Sequence, residues 1–174
     1  MKRLSETESL SRLAKIKSLY RNEIREKYEP KAKNCLTCEV QGSCCVDEHF
    51  VNVHITKLEA VAVLKELQNL DERKREKIYE KITETVEKYA LKQTGDTFAQ
   101  TYACPLYDKG VGCLVHPVKP VPCIQHACYE RQEDLPPDDL QIEAELKIER
   151  LNSQTYAQNL TQLPLPVWID KLKS

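Results

Sequence analysis

Glycine is scarce in this chain, with four residues in 174. A dinucleotide or phosphate-cradling loop is built on a glycine series, and this sequence has none. Gly110-Val-Gly112 is a two-glycine fragment that runs into Cys113 and not into a helix. Long apolar runs are missing as well, and no stretch approaches the roughly 20 apolar residues of a membrane-spanning helix. No membrane association is therefore expected. Met1-Lys-Arg-Leu-Ser-Glu-Thr-Glu8 has neither an apolar h-region nor a small-residue cleavage site, which predicts a cytoplasmic protein without a secretory signal. Neither sign of charge is in excess: 26 Lys and Arg stand against 27 Asp and Glu, for a net charge of −1. No basic stripe is present to follow a nucleic-acid backbone, so no nucleic-acid partner is expected. The short basic run Arg73-Lys74-Arg75 is flanked by Glu72 and Glu76 and reads as a solvated helix face. A nucleophile elbow and an H-E-x-x-H pair are both lacking. Asp138-Asp139 suits the charge of a helix N-terminus better than a catalytic pair.

What is present is a globular composition, 41% hydrophobic and 30% charged. The length predicts a single domain over residues 1–174, large enough to bury a core without covalent staples. Ser5-Glu-Thr-Glu8 fits a capping box, followed by Leu10, Leu13, Ile16, Tyr20, Ile24 and Tyr28 at helical spacing. Pro30 ends that N-terminal helix, over 1–30. Residues 31–135 form a cysteine-bearing core with inserted helices over 56–94. Within it, His49 to Ile55 alternates as a short strand does. Thr56-Lys-Leu-Glu59 opens a helix carrying Leu58, Val61, Ala62 and Leu67. Asp71 caps the next, with Ile78, Ile82, Val86 and Tyr89 as its stripe, a Glu84–Lys88 pair in support and Gly95 as C-cap. Prolines 105, 117, 120 and 122 interrupt any helix over 101–128. There Asp108-Lys-Gly110 predicts a tight turn and Cys113 to His116 a short strand. A C-terminal helix and tail fill 136–174. Leu140, Ile142, Ala144, Leu146 and Ile148 alternate with period two, yet the Ala, Leu, Glu and Lys content favours helix over strand. The tail, holding the only Trp, is expected to dock on the body. The predicted fold class is mainly α with short β-strands: a small helical domain organised around a cysteine-rich metal-binding loop region.

The eight cysteines carry the chemistry. Cys35-Leu-Thr-Cys38 and Cys44-Cys45 make one patch; Cys104, Cys113, Cys123 and Cys128 make another. In a reducing compartment, grouped thiols lean toward metal chemistry and away from a disulfide framework. Cys35-x2-Cys38 is a knuckle spacing, in which a turn brings two sulfurs to one side of the chain. If Cys44 and Cys45 lie in an extended segment, they face opposite ways, so one joins Cys35 and Cys38 while its neighbour does something else. Four sulfurs from each patch would close two tetrahedral sites, the arithmetic of structural zinc. Sulfurs drawn from both patches could equally surround one cluster. The ferredoxin spacings C-x2-C-x2-C and C-x4-C-x2-C are absent, as is the C-x3-C-x2-C of radical enzymes, which argues against electron transfer without excluding a cluster of other spacing. His49, His54, His116 and His126 are the further donor candidates. His126 stands out because it falls between Cys123 and Cys128.

At these residues the chain resembles the YkgJ-like cysteine-cluster proteins, described as zinc- or iron-chelating domains. Cys35, Cys38, Cys44 and Cys45 look like that family's C-x2-C-x2-C-C patch, Cys104-Pro105-Leu106 like its Cys-Pro element, and Cys113 with Pro120-Val-Pro-Cys123 like its closing run. The likeness covers roughly residues 35 to 128. The chain departs from the pattern in the five residues before Cys44, in His116 for an aromatic residue, in Lys119 for an arginine and in the additional Cys128. Lys119 cannot reproduce a planar bidentate contact. The resemblance implies metal chelation more firmly than any reaction. Three functions are expected from this reading. The leading one is a metal-binding protein holding zinc or an iron–sulfur cluster. The others are an iron–sulfur oxidoreductase or related modifying enzyme, and a metal-delivery or redox-sensing module.

Overall fold

In the computed structural model, which describes residues 3–34, 38–156 and 162–173, helices dominate. The elements in chain order are α1 (Glu6–Lys27), α2 (Ser43–Val46), β1 (His54–Ile55), α3 (Lys57–Leu67), α4 (Glu72–Lys88), β2 (Tyr107–Asp108), β3 (Gly112–Cys113), α5 (Val121–Gln125), α6 (Asp138–Tyr156), β4 (Leu163–Pro164) and α7 (Leu165–Leu172). The protein is thus mainly α with short β-strands, as periodicity and composition predict. Among the described residues no helix is long and apolar enough to cross a membrane. By contacts the chain divides into two compact units, Met1–Gln41 with Lys119–Leu160 and Gly42–Val118 with Thr161–Ser174.

In the first unit α1 packs along α6, and α5 packs against both. Ser5 starts α1 as expected, its Oγ accepting from the Glu8 N–H at 3.2 Å. The buried stripe of α1 is Ser9, Leu13, Lys17, Tyr20 and Ile24, while Leu10, Ile16 and Tyr28 are half-buried. Polar anchors explain this rotation from the expected stripe. The Thr155 hydroxyl donates to Ser9 Oγ at 2.7 Å, and the Tyr20 hydroxyl donates to Gln125 Oε1. Both anchors turn the helix so that small and amphipathic side chains face inward. α6 buries Ala144, Ile148 and Leu151 and leaves Ile142 and Leu146 exposed. The apolar alternation was therefore incidental, and the i, i+4, i+7 subset made the helix. α5 forms despite its proline, because Pro122 sits in the first turn, where its missing N–H has no intrahelical partner to lose.

In the second unit α7 packs on α3 and α4, with Trp168 only 3% exposed. The tail docks as expected, and it does so as a helix. β1 and β4 pair antiparallel, His54 with Pro164 and Ile55 with Leu163. The strand expected over 49–55 is thus confined to two residues, since Pro164 has no N–H with which to extend a ladder. Thr56 and Glu59 complete a capping box: Thr56 Oγ1 accepts from the Glu59 N–H at 3.3 Å and Glu59 Oε2 from the Thr56 N–H at 3.1 Å. Asp71 caps α4. Gly95 does not end it. Instead Ala90 takes a left-handed φ of 48°, and the Leu91 and Ala90 amides donate to Val86 and Glu87 at 3.0 and 3.1 Å, closing a Schellman motif. Lys88 reaches Glu48 at 3.1 Å rather than Glu84, because the loop before β1 brings a carboxylate to it.

Candidate metal centre

α2 opens at Gly42, whose φ of 83° is left-handed. A side chain there would also overlap the Tyr107 ring, so the position needs glycine twice over. The turn that follows carries Cys44 and Cys45. It is helical and not extended, so the two side chains diverge by roughly 100° around a helix of 3.6 residues per turn, not by opposite faces. This corrects the arrangement expected from an extended pair. The cause is the left-handed glycine, which sends the chain into a turn, with Cys45, Val46 and Asp47 N–H groups donating back to Gly42 and Ser43 carbonyls.

Cys104 is tied to this turn by its own backbone: its N–H donates to the Cys45 carbonyl at 2.7 Å. Three residues on, β2 pairs with β3, setting Tyr107 opposite Cys113 and Asp108 opposite Gly112. Gly110, at φ 85°, turns the three-residue loop between them. The tight turn is as predicted, but the strand stops at Cys113 because His116–Val118 coils into a 3-10 turn with Pro117. The Leu114 N–H donates to the Leu106 carbonyl at 2.9 Å and locks the hairpin.

Burial pushes the Cys104 thiol up to about 11, and the neighbouring Cys113 adds to the rise. The Leu106 and Tyr107 amides and the Lys81 ammonium act in the opposite direction. Pro105 has no N–H, so Leu106 and Tyr107 supply the first amides available to that sulfur. Lys81 is held in place by donating to the Tyr107 carbonyl at 2.9 Å. The surroundings thus contain donors for a thiolate, while desolvation keeps the bare thiol protonated. A coordinating cation reverses that balance, because a thiol that ligates a metal is deprotonated outright. Sequence reasoning missed Lys81, Gly42 and the two amides. The Cys-Pro dipeptide was the available signal for the amides; Lys81 had none, since α4 places it.

The unit boundaries sort the described cysteines across the two sequence patches. Cys44, Cys45, Cys104 and Cys113 belong to the second unit; Cys38, Cys123 and Cys128 belong to the first. Cys38 and Cys128 line one cleft of about 600 Å3 with Lys33, Asn34, Glu39, Val40 and Glu130. Cys123 is half-buried on α5. Cys35 lies outside the described residues. A unit boundary falls between Cys38 and Cys44 and another between Cys113 and Cys123. Among the described residues no disulfide joins these cysteines, and no three Cys, His, Asp or Glu side chains form a ready-made group for a metal ion.

The histidines differ in burial. His49, His116 and His126 are exposed. His126 caps the C-terminus of α5 in the unit of Cys123 and Cys128. His54 is buried on β1 with its ring stacked on Phe98 at 4.2 Å. Neither of its ring nitrogens has a well-formed hydrogen bond, although the Thr97 and Asn52 backbones lie close enough to offset part of its burial. Compared with known proteins, the chain matches no family model, no curated protein and no solved structure. The donor set itself is soft thiolate with amide and ammonium support, which fits zinc or an iron–sulfur cluster better than a hard cation.

Proposed function

We propose that the chain is a cytoplasmic metal-binding protein that holds zinc or an iron–sulfur cluster through Cys35, Cys38, Cys44, Cys45, Cys104, Cys113, Cys123 and Cys128. The observation that carries this reading is the environment of Cys104. The Leu106 and Tyr107 amides donate toward one buried sulfur, and the Lys81 ammonium and the Cys113 thiol act on its charge. Inert buried cysteines are surrounded by apolar groups; thiolates that hold metals are met by donors. The resemblance to YkgJ-like proteins supports the same reading. Cys44 and Cys45, linked to Cys104 through its backbone, supply the remaining thiolates of the second unit. Cys38, Cys123 and Cys128 supply those of the first, with Cys35 joined to Cys38 by its knuckle spacing.

The test is anaerobic purification followed by metal analysis and a visible spectrum. A colourless protein with stoichiometric zinc assigns zinc. A brown protein with stoichiometric iron and sulfide assigns a cluster. Metal well below one ion per chain, after reconstitution with either, sinks the reading.

A further inference from the structure

Cys38 and Cys128 are the exposed members of the described cysteines, the others being half-buried. Although distant in sequence, they line the same cleft. Its geometry is held by a short antiparallel pairing. Ala32 bridges Tyr129, the Lys33 N–H donates to the Cys128 carbonyl at 2.8 Å, and Lys33 Nζ meets Glu130 at 3.3 Å. Cys128 is thus fixed beside Lys33, which lines the same cleft as Cys38. Thiols that serve only to hold a structural metal are best shielded, and Cys38 and Cys128 are less so than half-buried Cys104. Two solvent-facing thiols in one open cleft are instead where an oxidant arrives and where a second thiol waits to resolve the product.

We propose that Cys38 and Cys128 form a reversible dithiol–disulfide couple, oxidised by a hydroperoxide, whose closure withdraws two thiolates from the metal-binding set. The consequence for metal rests on the metal-binding reading above; the couple itself does not. The thiolate of one cysteine attacks an oxygen of the hydroperoxide. An S–O bond forms, the O–O bond breaks, and the departing oxygen takes a proton and leaves as an alcohol, or as water from hydrogen peroxide. The thiolate of the other cysteine then attacks the sulfenic sulfur. An S–S bond forms, the S–O bond breaks, and hydroxide takes a proton and leaves as water. The two thiols together lose two electrons and two protons, and the hydroperoxide accepts both. A dithiol reductant reverses the change by thiol–disulfide exchange.

The experiment treats the whole purified chain with a small excess of hydrogen peroxide, blocks remaining thiols by alkylation and maps the unreduced digest by mass spectrometry. The expected product is a Cys38–Cys128 linked peptide, lighter than its two parts by two hydrogens and reversed by dithiothreitol. Metal release, followed with a chromogenic chelator, keeps step with the link. Cys38→Ser and Cys128→Ser each abolish the link. A natively folded protein by circular dichroism that forms no such link overturns the couple, as does oxidant consumed by another cysteine pair. The two readings fail separately. A link formed in protein that binds no metal supports the couple and removes the metal reading. Metal bound stoichiometrically with no link after oxidation removes the couple and leaves the metal reading intact.

Discussion

The Cys104 N–H donates to the Cys45 carbonyl at 2.7 Å, so two cysteines almost sixty residues apart share one backbone hydrogen bond. That bond ties the turn bearing Cys44 and Cys45 to the hairpin bearing Cys113. If a metal is held there, its removal should loosen both. Chelator treatment of the metal-loaded protein is expected to lower the thermal midpoint. Cys104→Ser should bind less metal than wild type and show a smaller loss on chelation. An unchanged midpoint after verified metal removal would count against a structural metal.

Gly42→Ala places a methyl group against the Tyr107 ring at a left-handed φ of 83°. Gly95→Ala meets the same φ of 83° with open space around it. The second should cost about 1 kcal/mol, from backbone conformation alone. The first adds overpacking, typically another 1–3 kcal/mol. Urea denaturation of both variants checks the order, and equal losses would show that Tyr107 moves aside freely.

Ala90 holds a left-handed φ of 48° at the end of α4. Glycine accepts that conformation without the Cβ penalty. Ala90→Gly is therefore expected to stabilise the protein by about 1 kcal/mol, even though it removes a methyl group. A destabilised variant in the same urea assay would refute this.

Burial holds His54 below its ordinary value, with the Thr97 and Asn52 backbones offsetting part of the shift. A base whose folded pKa is depressed binds its proton more readily when unfolded. The stability it permits is fully present above about pH 6.5, the ordinary value of the unfolded chain. It is lost as pH falls from there toward the folded value, below which the loss is complete. His54→Gln removes that titration, so its stability should fall less steeply between pH 7 and 5 than that of wild type. Parallel curves for the two proteins would place the acid sensitivity elsewhere.

Trp168, the sole tryptophan, is 3% exposed where α7 meets α3 and α4. Its emission should be blue-shifted in the native protein and should red-shift as the second unit unfolds. Trp168→Ala is expected to cost about 3–5 kcal/mol. Trp168→Phe should cost distinctly less, because it keeps much of the apolar contact and removes an indole N–H that has no hydrogen-bond partner among the described residues. Similar losses for both would argue that the ring's size, not its burial, sets the stability.

Much of the helical framework was legible because its signals are local. Ser5, Thr56 and Asp71 each place an oxygen next to helix amides a few residues on, and each begins the helix it announces. The period-3.6 subset within 140–151 outweighed its alternation for the same reason. Where local signals misled, a tertiary partner had intervened. Glu48 took Lys88 from Glu84, Pro164 shortened β1, and the α6 and α5 anchors rotated α1 about its axis.

The amino-acid order by itself determined that the chain is helical and where most helices begin, and it marked the cysteines as the candidates for its chemistry. These follow from spacing and side-chain type over a few residues. Only the tertiary structure decided which cysteines are neighbours. Cys38 and Cys128, distant in sequence, share a cleft, and Cys45 and Cys104 share a hydrogen bond. The reason is that the helices pack by their apolar faces, and the loops between them go where that packing puts their ends. The loops carry the sulfurs, so packing far from the cysteines sets the company each one keeps.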